Sequence, residues 1–201
     1  MYEVLAFGYE FICQFIPFLI VLRYLCKWNN RSGLVTITIF SMYIIAVFYV
    51  TGVGTLYDLL RFQPTFLSGR INLIPFSREI NWTGYLLNLL MFVPLGIFLP
   101  ILWREFTSYF RVFIVSLGLS LLIEVSQIFS LRGCDVDDLI MNTAGAMIGL
   151  FFYHVISRFI KEECLHQHKS SWECIVIVLI LYFARFFLFD QLGFINLFYG
   201  F

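Results

Sequence analysis

Long apolar runs separated by short polar connections dominate the chain. A helix needs about 20 mostly apolar residues to cross a bilayer, and six runs approach that length. The predicted membrane-spanning helices are residues 4–25, 33–57, 84–103, 110–130, 138–160 and 172–189. The first of these has the weakest pattern, because it contains Glu10, Gln14 and Pro17. The sequence therefore predicts an all-α fold, a polytopic membrane helix bundle of about six helices.

The most polar stretch, residues 58–83, joins the second and third predicted helices and is too long for a tight turn. Its segment Asn72-Leu-Ile-Pro75-Phe76 is apolar and interrupted by proline, which favours a position dipping back into the membrane. We divide the chain into two N-terminal membrane helices (1–57), a central core (58–160), and a cytoplasmic loop followed by a C-terminal helix (161–201).

Composition supports a membrane protein. Hydrophobic residues make up 61% of the chain and charged residues 13%, about half the ~25% of a soluble domain. This excludes a cytosolic enzyme and a disordered tail. Net charge is zero, so bulk attraction to nucleic acid has no basis. The five cysteines show no C-x-x-C spacing, so neither a disulfide framework nor a metal framework is expected. We also expect no cofactor.

Basic residues predict the orientation, since cytoplasmic loops carry an excess of Lys and Arg. With the N-terminus outside, the basic residues of the inner loops are Arg23, Lys27, Arg31, Arg104, Arg111, Arg158, Lys161 and Lys169. Those of the outer loops are Arg61, Arg70, Arg78 and Arg132. The excess on the inner side predicts that both termini face outward.

Ionisable residues at membrane depth are costly and need a reason. In this topology Glu10, Asn88, Glu124, Asn142 and Arg185 all lie roughly 6–10 Å beneath the outer surface, at ~1.5 Å per residue. Their common depth predicts a polar pocket that opens outward. The alternatives are a structural ion pair between Glu10 and Arg185, and hydrogen bonds from Asn88 and Asn142 that only join helices.

Helical spacing arranges these residues into stripes. The stripe on the fourth predicted helix is Ser116, Ser120, Glu124 and Gln127. The stripe on the fifth is Asp138, Asn142, Gly145, Gly149 and Tyr153. Gly145 and Gly149 have the spacing that lets another helix pack closely. No residue on its own helix neutralises Glu124, so this carboxyl group must be protonated or find a partner, and we assign it a functional role.

A second polar constellation, Arg132-Gly-Cys-Asp135-Val-Asp137-Asp138, lies between the fourth and fifth helices. Asp138 is the predicted N-cap of the fifth helix, and the other carboxylates would favour the same helix end through its dipole. The alternative is catalysis or cation binding, but the Gly and Glu of an EF-hand loop are missing. Arg70 in the long loop suits contact with phosphate or carboxylate.

Five stretches, in this order, resemble the VanZ-like family of bacterial membrane proteins. They are Asn72-Leu-Ile-Pro75-Phe76, Asn88-Leu-Leu-Met-Phe92-Val-Pro94-Leu-Gly96, Glu124-Val-Ser-Gln127, Arg132-Gly-Cys-Asp135-Val-Asp137-Asp138, and Asn142-Thr-Ala-Gly145 with Gly149. They cover about residues 70–152, and the two ends match only as hydrophobic helices. The founding member is associated with resistance to teicoplanin, a lipoglycopeptide, with little effect on vancomycin. The resemblance implies a multi-pass protein of the bacterial cell membrane that lowers teicoplanin binding at the cell surface.

Three functions are considered for the chain. A binding protein would hold an amphiphile, such as a lipoglycopeptide or a lipid-linked cell-wall precursor, among membrane lipids. Its predicted ligand-binding residues are Arg70, Asn72, Asn88, Gln127, Arg132 and Asn142. A membrane enzyme acting on an envelope lipid or cell-wall precursor would use Glu124 as general acid or base, with Asp135 and Asp138 assisting. A transporter is disfavoured, because no internal repeat is evident. The oligomeric state and a housekeeping envelope role stay open.

Overall fold

A computed structural model describes residues 2–25, 31–62, 71–77, 81–128, 133–159 and 170–189. The helices of this part are α1 (Tyr2–Leu25), α2 (Arg31–Thr51), α3 (Leu56–Phe62), α4 (Trp82–Leu102), α5 (Tyr109–Gln127), α6 (Val136–Ile156) and α7 (Trp172–Leu188). A 3-10 turn, Arg104–Thr107, joins α4 to α5. Two short strands, β1 (Ile71–Asn72) and β2 (Cys134–Asp135), complete the described structure. Every predicted helix is present, whereas α3 and the strands were not predicted.

Four stretches of the described residues are long and apolar enough to cross a membrane: Gly33–Leu60, Trp82–Leu102, Tyr109–Gln127 and Val136–Ile156. The mostly helical class is therefore confirmed, with four candidate membrane-spanning helices. That α1 and α7 also cross the membrane stays a prediction, as does the division of the chain at residues 57 and 160.

The surface of the bundle is apolar, as expected for helices that face lipid and not water. Val50, Leu87, Phe151 and Phe187 are all more than half exposed. The interior is also apolar and is shared by several helices. Its fully buried residues include Phe40, Phe48, Phe92, Leu150 and Leu181.

The second predicted helix ends at Thr51 and not at residue 57, because Gly52 takes a left-handed conformation with φ 63°. The N–H of Gly52 donates to the carbonyl of Tyr49, and that of Val53 to the carbonyl of Phe48. This pair of bonds is a Schellman motif, which satisfies carbonyl groups at the end of a helix.

Helices α4 and α6 pack with their backbones in contact at three glycines. A Cβ atom at Gly145 would lie 2.1 Å from the Leu89 carbonyl oxygen, and one at Gly149 would lie 2.0 Å from that of Val93. At Gly96 a Cβ atom would lie 1.9 Å from the Ala146 carbonyl oxygen. Side chains larger than hydrogen do not fit at this separation. The close approach predicted from Gly145 and Gly149 is confirmed, with α4 as the partner.

Candidate functional site

The two short strands join the long polar stretch to the residues before α6. They run parallel, with Ile71 opposite Cys134 and Asn72 opposite Asp135. The Asn72 Nδ2 atom donates to Asp135 Oδ1 at 3.1 Å. Asn72 and Asp135, both predicted site residues, are thus brought together from positions far apart in the chain.

Asp135 caps the N-terminus of α6. Its backbone is extended (φ −132°, ψ 126°), and its Oδ1 atom accepts from the N–H of Asp137 at 3.0 Å. The prediction that Asp138 is the N-cap is wrong, because α6 already begins at Val136. The Asp138 carboxylate instead accepts from Asn88 Nδ2 at 2.6 Å, which joins α6 to α4.

The Glu124 carboxylate is hydrogen-bonded to the backbone of strand β2. The side chain is 2% exposed, and its Oε2 atom accepts from the N–H of Asp135 at 2.8 Å. The thiol of Cys134 also hydrogen-bonds to this carboxylate. Burial, with a smaller contribution from Glu124, raises the pKa of Cys134 to about 11, so this thiol stays protonated at neutral pH. Glu124 therefore holds the segment that leads into α6.

Asp137, which the sequence places in the constellation of candidate catalytic or cation-binding carboxylates, is a central member of the site. It is 1% exposed, and its Oδ1 atom accepts from the N–H of Phe76 at 2.8 Å. Its Oδ2 atom accepts from the Tyr85 hydroxyl at 2.5 Å. The sequence carries one signal for this contact. Tyr85, the partner of Asp137, lies three residues before Asn88, so the two side chains share a face of α4.

Two further predicted residues join helices. Asn142 Nδ2 donates to Ser120 Oγ at 2.9 Å, which links α6 to α5. Gln127 Nε2 donates to the Thr51 carbonyl at 2.8 Å, which links α5 to the end of α2. Both side chains are buried. The interhelical hydrogen bonds considered for Asn88 and Asn142 are thus present, and a role in ligand binding stays a prediction.

Glu10 and Arg185 form a buried ion pair between α1 and α7, as the structural alternative predicted. Arg185 Nε also donates to the Val53 carbonyl at 3.0 Å. Gln14 Nε2 donates to Glu10 Oε1 at 3.3 Å. The guanidinium carbon of Arg185 lies 5.3 Å from the centre of the Phe189 ring. The contacts of the pair that are described here all come from the protein itself.

These contacts collect the polar residues at one end of the bundle. Gln127 and Arg185 both reach carbonyls at the end of α2, and Asn88 and Glu124 both meet the start of α6. We call the linked set of Asn72, Tyr85, Asn88, Glu124, Asp135, Asp137 and Asp138 the carboxylate network. Arg70 and Arg132 lie outside the described residues.

The network is built from carboxylates whose partners are amides, a hydroxyl and backbone N–H groups. In the part of the chain that the structure describes, no group of three or more His, Cys, Asp or Glu side chains is placed to hold a metal ion. The half-buried members are Tyr85, Asn88, Asp135 and Asp138. Their arrangement can fix a loop and three helix ends, and it leaves part of these four side chains exposed.

We expect Asp135→Ala to lower the stability of the protein. Loss of an N-cap side chain costs about 0.5–2 kcal/mol, and Asn72 also loses its partner. Ser108→Ala is the matched control, because Ser108 is the N-cap residue of α5 but makes no capping hydrogen bond. Thermal unfolding of the purified variants in detergent measures both. Equal losses at the two positions would contradict the capping role.

The fold and the network together define a helical membrane protein whose central helices and one loop are tied at one end by buried carboxylates. The VanZ/LLP1 family model matches residues 34–157, well over half of the chain. The chain therefore belongs to the VanZ/LLP1 family, which confirms the resemblance found in the sequence. The matched region contains the whole carboxylate network, whereas Glu10 and Arg185 lie outside it.

A curated relative is also similar to this chain. Protein VanZ from Enterococcus faecium is 30% identical over 112 residues, which cover 55% of this chain and 69% of that protein. No solved structure matches the chain.

Proposed function

We propose that this chain is a protein of the bacterial envelope that lowers susceptibility to lipoglycopeptides such as teicoplanin, with the carboxylate network facing outward. Membership of the VanZ/LLP1 family supports the link to resistance. The observation that carries the proposal is the burial of Glu124 against the strand before α6. This contact gathers the motifs of the resemblance into one place, where a cell-surface ligand would meet them.

The distribution of basic residues supports the outward orientation. Arg23 lies in the last turn of α1, Arg104 and Arg111 flank the connection between α4 and α5, and Arg158 follows α6. All four belong to the end of the bundle opposite the network. Cytoplasmic loops are rich in Lys and Arg, so that opposite end is the one that faces inward in the proposal.

In this proposal some polar residues position their neighbours, and others contact the ligand directly. Asn72, Gln127 and Asn142 are buried and donate to groups of the protein itself, so they position other residues. The half-buried Asn88 and Asp138 remain for direct contact with an amphiphile, such as a lipoglycopeptide or a lipid-linked cell-wall precursor. The predicted contacts of Arg70 and Arg132 with an anionic group belong to the same proposal.

A second candidate is a membrane enzyme that modifies an envelope lipid or a cell-wall precursor. It is favoured by the burial of Glu124 beside the half-buried Asp135 and Asp138, an arrangement in which one carboxyl group can hold a proton that another accepts. In that case Glu124 is the general acid or base, and Asp135 and Asp138 assist it.

Glu124→Gln distinguishes the two candidates. Gln keeps an oxygen that accepts from the Asp135 N–H group but removes the titratable carboxyl group. We expect the parent protein, expressed in a susceptible Gram-positive host, to raise the inhibitory concentration of teicoplanin with little change for vancomycin. A binding protein keeps part of this effect in Glu124→Gln, whereas an enzyme loses nearly all of it.

The amount of each variant in the membrane must be measured in the same cells. If Glu124→Gln does not accumulate, the residue is structural and its assigned role in function is wrong. If the parent protein is present in the membrane and neither drug loses potency, the resistance proposal is overturned. Lipid and cell-wall analysis of a deletion strain would then test a housekeeping role.

A further inference from the structure

The loop that follows β1 presents large apolar side chains at the end of the bundle that carries the network. Leu73, Ile74 and Phe76 are 73%, 69% and 54% exposed. We infer that residues 73–76, here called the apolar hook, are inserted into the lipid leaflet at that end, and that Asp137 holds them there. This inference does not rest on the proposed role in resistance.

Two backbone N–H groups of the hook are hydrogen-bonded within the protein, as insertion into lipid requires. A backbone N–H group without a partner is costly in a bilayer, so each must be satisfied within the protein. The N–H of Ile74 donates to Asn72 Oδ1 at 3.2 Å, and that of Phe76 donates to Asp137 Oδ1 at 2.8 Å. Pro75 has no N–H group. These bonds turn donor groups of the hook towards the network and leave its side chains free to enter lipid.

The backbone conformation of Phe76 indicates that its exposed ring has a function in the hook. Phe76 has φ 54°, in the left-handed region. This conformation is rare for a bulky residue, whereas glycine adopts it without steric strain. The ring nevertheless stays more than half exposed and meets the Tyr85 ring edge to face, 6.2 Å between centres. Since Tyr85 and Phe76 both bond to Asp137, this carboxylate positions the hook against the first turns of α4.

The residues around the hook indicate that its apolar side chains contact lipid. The hook lies beside Tyr85, and the same helix continues with the exposed apolar side chains Trp82, Leu86, Leu87 and Leu90. α4 is one of the four candidate spanning helices, so this face already meets lipid. Trp82 starts the helix, and tryptophan is enriched where membrane meets water. The hook adjoins this face of α4 through the contact of Phe76 with Tyr85.

The test places a new tryptophan at the hook. Leu73→Trp is reconstituted in phosphatidylcholine vesicles, and its added emission is obtained by subtracting the parent spectrum. Two quenchers are compared: lipid brominated near the top of its acyl chains, and acrylamide from the water. Leu87→Trp on α4 is the lipid-facing control, and Arg104→Trp in the 3-10 turn is the control outside the spanning helices.

Insertion predicts that Leu73→Trp loses most of its added emission to brominated lipid and little to acrylamide, like Leu87→Trp. Quenching by acrylamide alone would place the hook in water and overturn the inference. Protection from both quenchers would mean that a protein covers the hook, and this would overturn it as well.

The role of Asp137 is tested in the same Leu73→Trp protein. Asp137→Ala removes the acceptor for the Phe76 N–H group, so quenching should shift from lipid to acrylamide. Asp137→Asn keeps an acceptor oxygen and should retain quenching by lipid, which separates loss of the bond from loss of the fold. Asp138→Ala is the matched control, because Asp138 bonds to Asn88 and not to the hook. Unchanged quenching by lipid in Asp137→Ala would remove Asp137 from the inference.

Discussion

Gly149→Ala is expected to separate α4 from α6 and to destabilise the protein strongly. The new methyl group would lie 2.0 Å from the Val93 carbonyl oxygen, a backbone atom that cannot rotate away. Overpacking costs typically about 1–3 kcal/mol and sometimes more. Alanine also favours a helix over glycine by about 1 kcal/mol, but this gain does not remove a clash between two backbones. Gly145→Ala should behave in the same way, since its methyl group would meet the Leu89 carbonyl.

Gly118→Ala provides the matched control for this experiment. Gly118 lies in α5, and a Cβ atom there would have no neighbour within 4 Å. The same chemical change should therefore be neutral or stabilising. Thermal unfolding in detergent, followed by the loss of monodisperse protein, compares the variants. If Gly149→Ala is as stable as Gly118→Ala, the contact between α4 and α6 is not formed as described.

The helices and the glycine contact could be predicted because their signals are local. Apolar runs of the right length predict the main helices, and a spacing of four residues places Gly145 and Gly149 on one face. A local signal for α3 was also available. Thr55 and Asp58 form a capping box, in which the Asp58 N–H donates to Thr55 Oγ1 and Asp58 Oδ2 accepts from Thr55.

The choice of the N-cap could not be predicted from local sequence. Asp135, Asp137 and Asp138 are all residue types that cap helices well. Asp135 takes this role because pairing with Asn72 in the strands holds its backbone extended. The partner is 63 residues away, and no pattern near α6 reveals it. The contact between Glu124 and the Asp135 N–H group depends on the same strand pair.

The rise of a helix predicts which polar residues share a depth, but not whether they surround a space or bond to one another. The common depth of Glu124 and Asn142 predicts a pocket. In the structure Glu124 holds the Asp135 backbone and Asn142 holds Ser120. Which of the polar side chains stay half-buried, and where the hook lies, is defined only by the tertiary arrangement.

Arg185→Met is expected to be more harmful than removal of both charges of its ion pair. The side chains of Arg185 and Glu10 are 6% and 2% exposed, so the single variant leaves a buried carboxylate without its cation. Breaking a buried pair costs about 3–5 kcal/mol, whereas replacing both partners is often nearly neutral. The double variant Glu10→Gln with Arg185→Met should therefore recover much of the stability, although the Val53 carbonyl still loses its donor.

A double-mutant cycle on thermal or denaturant unfolding measures the coupling between the two residues. The exposed pair of Arg111 and Glu105, 3.2 Å apart with side chains 53% and 44% exposed, is the matched control. Arg111→Met should cost no more than about 1 kcal/mol, because water solvates the remaining carboxylate. If the two arginine variants are equally stable, Glu10 is not paired with Arg185 in the folded protein. A large coupling at Arg185 alone would instead show that this pair fixes α7 against α1.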